Sequence, residues 1–100
     1  MAPTHQFVEL TPNDWTQITT ADVSAAAFQN QTGYAVRVLA TAGAAKPATS
    51  AAVIATGYEF LPNMGFDASR TLAEMFAGIT GANRLWVFSV MGGRALCSHA

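Results

Sequence analysis

Two apolar segments separated by a pair of glycines dominate the C-terminal part of the chain. Six of the seven residues in 85–91 are apolar, and a second apolar run follows Gly92-Gly93. Glycine adopts the positive φ angles of two-residue type I′ and II′ turns without a steric penalty, so this pattern predicts a β-hairpin. A two-residue loop also sets the register and places Phe88 opposite Cys97.

Both faces of this predicted hairpin are apolar. Side chains alternate across a sheet, so successive residues point to opposite faces. The face that we predict to form the domain core carries Trp86, Phe88, Val90, Ala95 and Cys97. The opposite face carries Leu85, Val87, Ser89, Met91, Arg94 and Leu96. A chain of 100 residues has little left to cover a second apolar face, so Leu85, Val87 and Met91 are predicted to contact another molecule. The open alternative is that the segment 72–79 of the same chain covers Leu85 and Val87.

Charged residues make up only 11% of the chain, against roughly 25% in typical soluble domains. The net charge is −1, so electrostatic repulsion between copies is weak. Depletion of charge is typical of interface cores. We therefore predict a subunit that buries much of its surface in a permanent assembly. The alternative is a monomer whose surface consists of threonine and small residues.

Several classes of protein are disfavoured by the sequence. The five basic residues are scattered, so no stripe tracks a phosphate backbone and no direct nucleic-acid contact is expected. No apolar run reaches the roughly 18 residues of a spanning helix, so no membrane contact is expected. Residues 1–6 lack the basic and apolar regions of a signal peptide. Cys97 is the only cysteine, so no disulfide within the chain is expected, and synthesis in a reducing cytoplasm is predicted.

Alternating and β-branched runs predict strands along most of the chain. They cover residues 6–10, 15–19, 23–30, 34–39 and 58–61. Asn30 and Gly33 supply turn chemistry between two of these runs, which predicts a second hairpin. Strands at intervals of about ten residues with turn signals between them are typical of a β-sandwich or barrel. We predict an all-β, mainly antiparallel fold in one domain over residues 1–100, either a small β-sandwich or a barrel.

Two segments depart from the strand pattern. Residues 41–52 contain mainly Ala, Gly, Pro, Thr and Ser and are predicted to form a long loop. Within 71–79, apolar residues recur at helical spacing, which predicts one short helical segment over an open end of the sheets. Asp67 and Ser69 are its expected capping residues.

No constellation of residues indicates catalysis. His5 and His99 lie near the ends of the chain and are expected to be exposed, with no third titratable group near either. Cys97 and His99 share a face if they lie on a strand, but a metal site uses more ligands at a recurring spacing. The acidic residues are never adjacent, and the motifs of a nucleophilic serine or a phosphate loop are absent. We predict no enzyme activity, no cofactor and no metal.

Four stretches follow one another, separated by turn residues, across most of the chain. They are Trp15-Thr16-x-Ile18, the run Phe-Gln-Asn-Gln-Thr-Gly-Tyr-Ala-Val-Arg-Val at 28–38, Gly-Tyr-Glu-Phe-Leu-Pro at 57–62, and Ala-Asn-Arg-Leu-Trp-Val-Phe-Ser at 82–89 ahead of the glycine pair. In this order they resemble small virion proteins of tailed bacteriophages, many of which are capsid decoration (cement) proteins or head and tail accessory proteins. The segment 72–79 has no counterpart in that family.

The resemblance implies a structural function at the capsid surface of a virion. A decoration protein binds the lattice of the major capsid protein, usually at threefold positions, and stabilises the shell. The resemblance therefore implies the major capsid protein as partner, a homo-oligomer such as a trimer, and synthesis in the cytoplasm of a bacterial host. The interface candidates are Leu85, Val87, Met91, Arg37, Arg94, Lys46 and Pro47.

Two alternatives stay open. The first is a tail, neck or fibre-associated subunit, which forms a ring or trimer. The second is a carbohydrate-binding β-sandwich module that displays Trp15, Tyr34 and Tyr58 in a plane, although each of these lies in a strand pattern that favours burial.

Overall fold

Eight strands and two short helices make up the described part of the chain. The computed structural model describes residues 4–100. The strands are β1 (Thr4–Leu10), β2 (Asp14–Gln17), β3 (Ala27–Asn30), β4 (Val36–Thr41), β5 (Tyr58–Phe60), β6 (Gly65–Phe66), β7 (Arg84–Ser89) and β8 (Gly93–His99). The helices are α1 (Ala51–Ile54) and α2 (Leu72–Met75).

The strands form two four-stranded sheets in which every pairing is antiparallel. Sheet 1 has the order β1-β8-β3-β6, and sheet 2 has the order β2-β7-β4-β5. The two sheets contribute to one shared hydrophobic core, which is the arrangement of a β-sandwich. The prediction of an all-β, mainly antiparallel fold is confirmed, and the sandwich rather than the barrel is observed.

The core between the sheets is built from alternate residues of the strands. Sheet 1 contributes Leu10, Phe28, Ala95 and Cys97. Sheet 2 contributes Val36, Val38, Ala40, Leu85 and Val87. Leu72 and Phe76, in and just after α2, also belong to the cluster, as do Ile18, Val23, Ala26 and Ala82. Full burial of a large apolar side chain contributes about 1.5–3 kcal/mol relative to exposure, so this cluster is the main source of stability.

The connection between β7 and β8 is not a hairpin, because the two strands lie in different sheets. The predicted register, with Phe88 opposite Cys97, is therefore wrong. Gly92 and Gly93 do have positive φ angles of 78° and 99°, but they carry the chain from sheet 2 to sheet 1. A Cβ at position 93 would lie 2.8 Å from Cγ2 of Thr32. Close packing as well as backbone conformation thus requires glycine there.

The connection from β3 to β4 also crosses between the sheets, so the second predicted hairpin is wrong as well. Six connections cross between the sheets. Two are long, 18–26 and 67–83, and four are short, namely 11–13, 31–35, 61–64 and 90–92. The strand registers bring the four short connections to one end of the sandwich, as the pairs Leu10–Gly93 in sheet 1 and Asp14–Ser89 in sheet 2 show. We call this end, formed by these four connections, the apex.

The helical segment predicted near 71–79 is a single turn, α2. Its N-terminus is closed by Thr71, whose hydroxyl accepts a hydrogen bond from the Glu74 N–H, while the Glu74 carboxylate accepts one from the Thr71 N–H. This capping box replaces the expected caps Asp67 and Ser69. Asp67 instead accepts a hydrogen bond from the backbone of Ser69 over 2.9 Å.

A second apolar cluster lies on the outer face of sheet 2. It consists of Trp15, Trp86 and Phe88, with Leu39, Val53 and Ile54 packed against them. The segment predicted as the loop 41–52 covers this face, and its end forms the start of α1, which Ser50 caps. The faces predicted for β7 are therefore reversed: Leu85 and Val87 point into the main core, and the two aromatic residues point outward. A strand that is covered on both faces is apolar on both, so alternation does not distinguish them.

Candidate functional site

Two of the predicted interface residues lie in the core. The side chains of Leu85 and Val87 are 0% exposed and belong to the cluster that contains Leu72 and Phe76. The prediction that they contact another molecule is wrong. The structure shows instead that they are buried within the same chain, in a cluster to which Leu72 and Phe76 of the helical segment also belong.

The apex carries most of the exposed large hydrophobic side chains. Within residues 4–100, five of the seven such side chains lie on its connections: Tyr34, Leu61, Met64, Val90 and Met91. None of the four connections contains a charged residue. Exposed apolar patches with a polar rim are typical of interaction sites, so the apex is the candidate functional site.

Met91 and Arg94, two of the predicted interface residues, line the same pocket at the apex. The pocket has a volume of about 300 Å³, and Tyr34 and Glu9 also line it. The Arg94 guanidinium lies over the ring of Phe7, 4.0 Å from its centroid, which is a cation–π contact. The structure therefore places an apolar side chain, an aromatic ring and a positive charge side by side.

A groove meets the apex at Val90. Its volume is about 510 Å³, and Arg37 and Phe88 line it together with residues of α1. Arg37 donates from Nη1 to the backbone oxygen of Gly57 over 3.1 Å, and its Nη2 lies 3.8 Å from the Glu59 carboxylate. These contacts hold the half-buried guanidinium in one position, so a fixed positive charge borders the groove.

A buried asparagine holds the apex together. The Asn30 Nδ2 donates to the backbone oxygens of Tyr34 and Phe60 over 2.7 and 3.0 Å. Its Oδ1 accepts hydrogen bonds from the N–H and the hydroxyl of Thr32 over 2.9 and 2.7 Å. The Asn30 backbone is also bonded to residues 63–64. The connections 31–35 and 61–64 are therefore joined through one residue, and a preorganised surface of this kind loses little entropy on binding.

Lys46 and Pro47, the remaining predicted interface residues, lie over sheet 2 rather than at the apex. The Lys46 ammonium is 2.8 Å from the Asp14 carboxylate, and its hydrogen bond holds the pKa of Asp14 below the ordinary value. The neighbouring Ala48 accepts a hydrogen bond from Nε1 of Trp15 over 2.9 Å. These contacts hold residues 46–48 against the second apolar cluster. A contact of Lys46 or Pro47 with a partner stays a prediction.

The aromatic residues considered for carbohydrate binding do not lie on one exposed surface. Trp15 is buried, whereas Tyr34 and Tyr58 are exposed. Tyr58 lines a groove of about 530 Å³ beside Phe66 and Met75, and its hydroxyl donates to the backbone oxygen of Met75 over 2.7 Å. Tyr34 and Tyr58 line different depressions and do not form one aromatic platform.

The titratable residues at the end of β8 are buried. The Thr20 N–H donates to Nε2 of His99 over 3.2 Å, and Nδ1 of the same ring lies 2.9 Å from the Ala100 oxygen. The prediction of an exposed His99 is therefore wrong. Burial raises the pKa of the Cys97 thiol to about 11, so this group is protonated at neutral pH. Within residues 4–100, no three His, Cys, Asp or Glu side chains are grouped as ligands for a metal ion.

Leu61, Met64 and Val90 are apex residues that the sequence reasoning does not single out. Val90 is assigned to the core face because the predicted hairpin places it there. The signal that the sequence does contain is the absence of charge from all four connections, but only the topology shows that the four meet.

Comparison of the chain with family models, curated proteins and solved structures found no significant match. Within residues 4–100, no helix is long and apolar enough to cross a membrane.

Proposed function

We propose that the chain is a structural protein of a bacteriophage virion, namely a capsid decoration protein that binds the lattice of the major capsid protein through its apex. The observation that carries this proposal is the concentration of exposed apolar side chains on four uncharged connections. The resemblance of the four sequence stretches to small virion proteins supports the same class. In this proposal the protein acts at the capsid surface as a homo-oligomer.

The apex has the composition of an interface centre. Such centres are depleted in charge and enriched in aromatic residues, methionine and arginine. The apex supplies Tyr34, Met64 and Met91, and Arg37 and Arg94 border it. The planar guanidinium donors suit carboxylate or backbone oxygens at the rim of a protein interface.

The mechanism in this proposal is linkage between binding and assembly. A protein that binds the assembled lattice but not its separated subunits stabilises the assembled state. At a free concentration one hundred times Kd, each occupied site contributes about 2.7 kcal/mol. A shell offers many equivalent sites, so a modest affinity per site is sufficient to stabilise the whole particle.

The test is co-sedimentation with expanded empty capsids assembled from a phage major capsid protein. We expect the wild-type chain to pellet at a fixed ratio to the capsid protein. Tyr34→Ser is expected to weaken binding about tenfold, which corresponds to the loss of one interface aromatic residue. Tyr58→Ser is the matched control, because Tyr58 is 53% exposed and Tyr34 is 55% exposed, yet Tyr58 lies off the apex.

Other outcomes overturn the proposal in favour of a stated alternative. A folded ring or trimer that ignores capsids but binds tail or neck particles supports the tail, neck or fibre function. A folded monomer that ignores all particles and binds sugars on a glycan array supports the carbohydrate-binding module.

A further inference from the structure

We propose that two copies of the chain pair through the free edge of β1, antiparallel and about a two-fold axis at Phe7. The pairing joins two copies of sheet 1 into one continuous sheet. It does not rest on the proposed function, because the pairing uses the backbone edge of β1 and none of the four connections that form the apex. Glu9 of this edge also lines the pocket at the apex.

The edge of β1 is long and has no feature that blocks pairing. β1 has seven residues, whereas the other three edge strands, β2, β5 and β6, have four, three and two. It is paired one-to-one with β8 from Thr4 to Leu10, with no bulge. It contains no proline or lysine, and Glu9 is its only acidic residue. Natural proteins protect long edge strands with β-bulges, proline or charged side chains, above all lysine. A long edge strand that lacks most of these features indicates that another strand pairs with it.

Among residues 4–100, the backbone groups of β1 that have no partner are those of its odd-numbered residues. Successive residues of a strand direct their N–H and C=O groups to opposite sides. The Asn30 N–H donates to the Met64 oxygen on the β6 side, so the even-numbered residues of β3 face β6 and the odd-numbered residues face β8. On β8 the even-numbered residues then face β3, and the odd-numbered residues face β1. Thr4, Gln6 and Val8 are bonded to β8, and His5, Phe7 and Glu9 point their N–H and C=O groups away from the sheet.

Only one two-fold register uses all three free residues of each copy. With the axis at Phe7, this residue lies opposite its own symmetry mate, and His5 lies opposite Glu9 of the second copy. If the axis lies at residue 6, Glu9 has no free residue of the second β1 opposite it. If the axis lies at residue 8, His5 has none. The chosen register therefore satisfies every free backbone group of these residues, and main-chain hydrogen bonds supply affinity in strand addition.

The side chains are self-complementary in this register. His5, Phe7 and Glu9 all project from the outer face of sheet 1, because their neighbours Val8 and Leu10 point to the core. Two Phe7 rings, each 51% exposed in the single chain, meet at the axis and cover one another. On both sides of this pair His5 faces Glu9, whose carboxylate can accept a hydrogen bond from an imidazole N–H, and aromatic cross-strand pairs stabilise sheets. This complementarity identifies a second copy as the occupant of the edge.

Antiparallel pairing places one apex at each end of the dimer, because β1 runs toward the apex. A dimer therefore presents two apolar surfaces that face in opposite directions. Dimerisation and binding through the apex are consequently separate measurements, and either can fail while the other holds.

The first test is sedimentation equilibrium of the full chain and of two charge variants. We expect a monomer–dimer equilibrium for the wild type. Phe7→Lys and Phe7→Glu each place like charges opposite one another at the axis and should weaken dimerisation at least about tenfold. An equimolar mixture of the two variants is expected to form a heterodimer, which a role of Phe7 in folding alone does not explain. A wild-type chain that stays monomeric at its solubility limit overturns the proposal.

The second test reads the register by disulfide formation. Phe7→Cys brings two thiols to the axis, where opposed Cα atoms lie about 5.5 Å apart, within the range that a disulfide spans. It should form a covalent dimer on mild oxidation. Glu9→Cys is the matched control: Glu9 is also exposed on the same face, but its two copies lie far apart in this register. Efficient cross-linking through position 9 but not 7 overturns the assignment.

Discussion

Asn30 and Phe60 lie in different sheets and are joined by a hydrogen bond from the buried Nδ2 of Asn30 to the backbone oxygen of Phe60, 3.0 Å long. Each residue is the last of its strand, β3 in sheet 1 and β5 in sheet 2. The bond therefore ties the two sheets together where the chain crosses between them. Within residues 4–100, every buried side-chain polar atom has a hydrogen-bond partner.

Replacing this residue is expected to destabilise the fold strongly. Asn30→Ala removes the Nδ2 donor to the backbone oxygen of Phe60 and the acceptor for the Thr32 N–H, while the Tyr34 oxygen keeps the Thr32 hydroxyl as a donor. Each buried polar group left unpaired costs about 1–3 kcal/mol, so we expect a loss of about 3 kcal/mol in the free energy of unfolding. Urea titration followed by tryptophan fluorescence measures it. Gln29→Ala, at the half-buried neighbouring amide, should change stability by less than about 1 kcal/mol; equal losses for both variants would contradict the assignment.

Two glycines at the apex end should respond oppositely to the same substitution. A Cβ at Gly65 would overlap the backbone oxygen of Phe28 and lie 2.8 Å from Cα of Gln29, so Gly65→Ala should separate β3 from β6 and cost about 1–3 kcal/mol or more. A Cβ at Gly33 meets nothing within 4 Å, and its φ is not positive. Gly33→Ala should therefore be neutral or stabilise by about 0.4–1 kcal/mol through the unfolded state. Thermal unfolding of the two variants in parallel checks both.

The sequence places most strands correctly because a half-buried strand alternates, as Trp15 to Ile18 do, and because Val36 and Val38 mark a sheet surface. It does not predict which strands pair. Gly92 and Gly93 suit a hairpin turn and a crossing between sheets equally, since both need positive φ. Whether the chain forms a hairpin or crosses between sheets depends on pairings with distant strands. β8 pairs with β1 and β7 pairs with β4, each in its own sheet.

The candidate site is harder still to predict, because it is created by topology. Met91 and Arg94 are predicted as interface residues, and the structure does bring them together. Val87, predicted on the same surface, is buried in the core between the sheets. The opposite face of β7 is covered by α1, and the composition of residues 41–52 does not indicate this cover. A segment rich in Ala, Ser and Thr carries too few large side chains to show that it packs anywhere.

The capping box of α2 predicts a dependence of stability on pH. Hydrogen bonds from the Thr71 backbone N–H and then its side chain hold the pKa of Glu74 below the ordinary value of 4.5. Because the pKa is lower in the folded state, the contribution is complete above the unfolded pKa and is lost as the pH falls through the folded one. Urea midpoints measured between neutral and acidic pH should therefore fall on acidification, and Glu74→Gln should flatten that fall.

Thr71 provides the control for this effect. Glutamine at position 74 keeps the geometry of the capping box, so Glu74→Gln isolates ionisation from hydrogen bonding. Thr71→Ala removes the N-cap hydroxyl and should lower stability by about 1 kcal/mol at neutral pH. If Glu74→Gln leaves the pH dependence of the urea midpoint unchanged, the carboxylate does not contribute in the way that the hydrogen bonds indicate.

The same substitution at two neighbouring valines separates core from candidate site. Val87 is 0% exposed and Val90 is 57% exposed, although both belong to one apolar run. Val87→Asp buries an unpaired carboxylate between the sheets, which costs several kcal/mol and is expected to unfold most of the protein. Val90→Asp should change stability by no more than about 0.5 kcal/mol, yet it places a charge in the uncharged apex and should reduce capsid co-sedimentation. Circular dichroism and the pelleting assay, run on both variants, distinguish the two effects. A folded Val90→Asp chain that pellets as well as the wild type would show that the apex is ordinary solvent-facing surface.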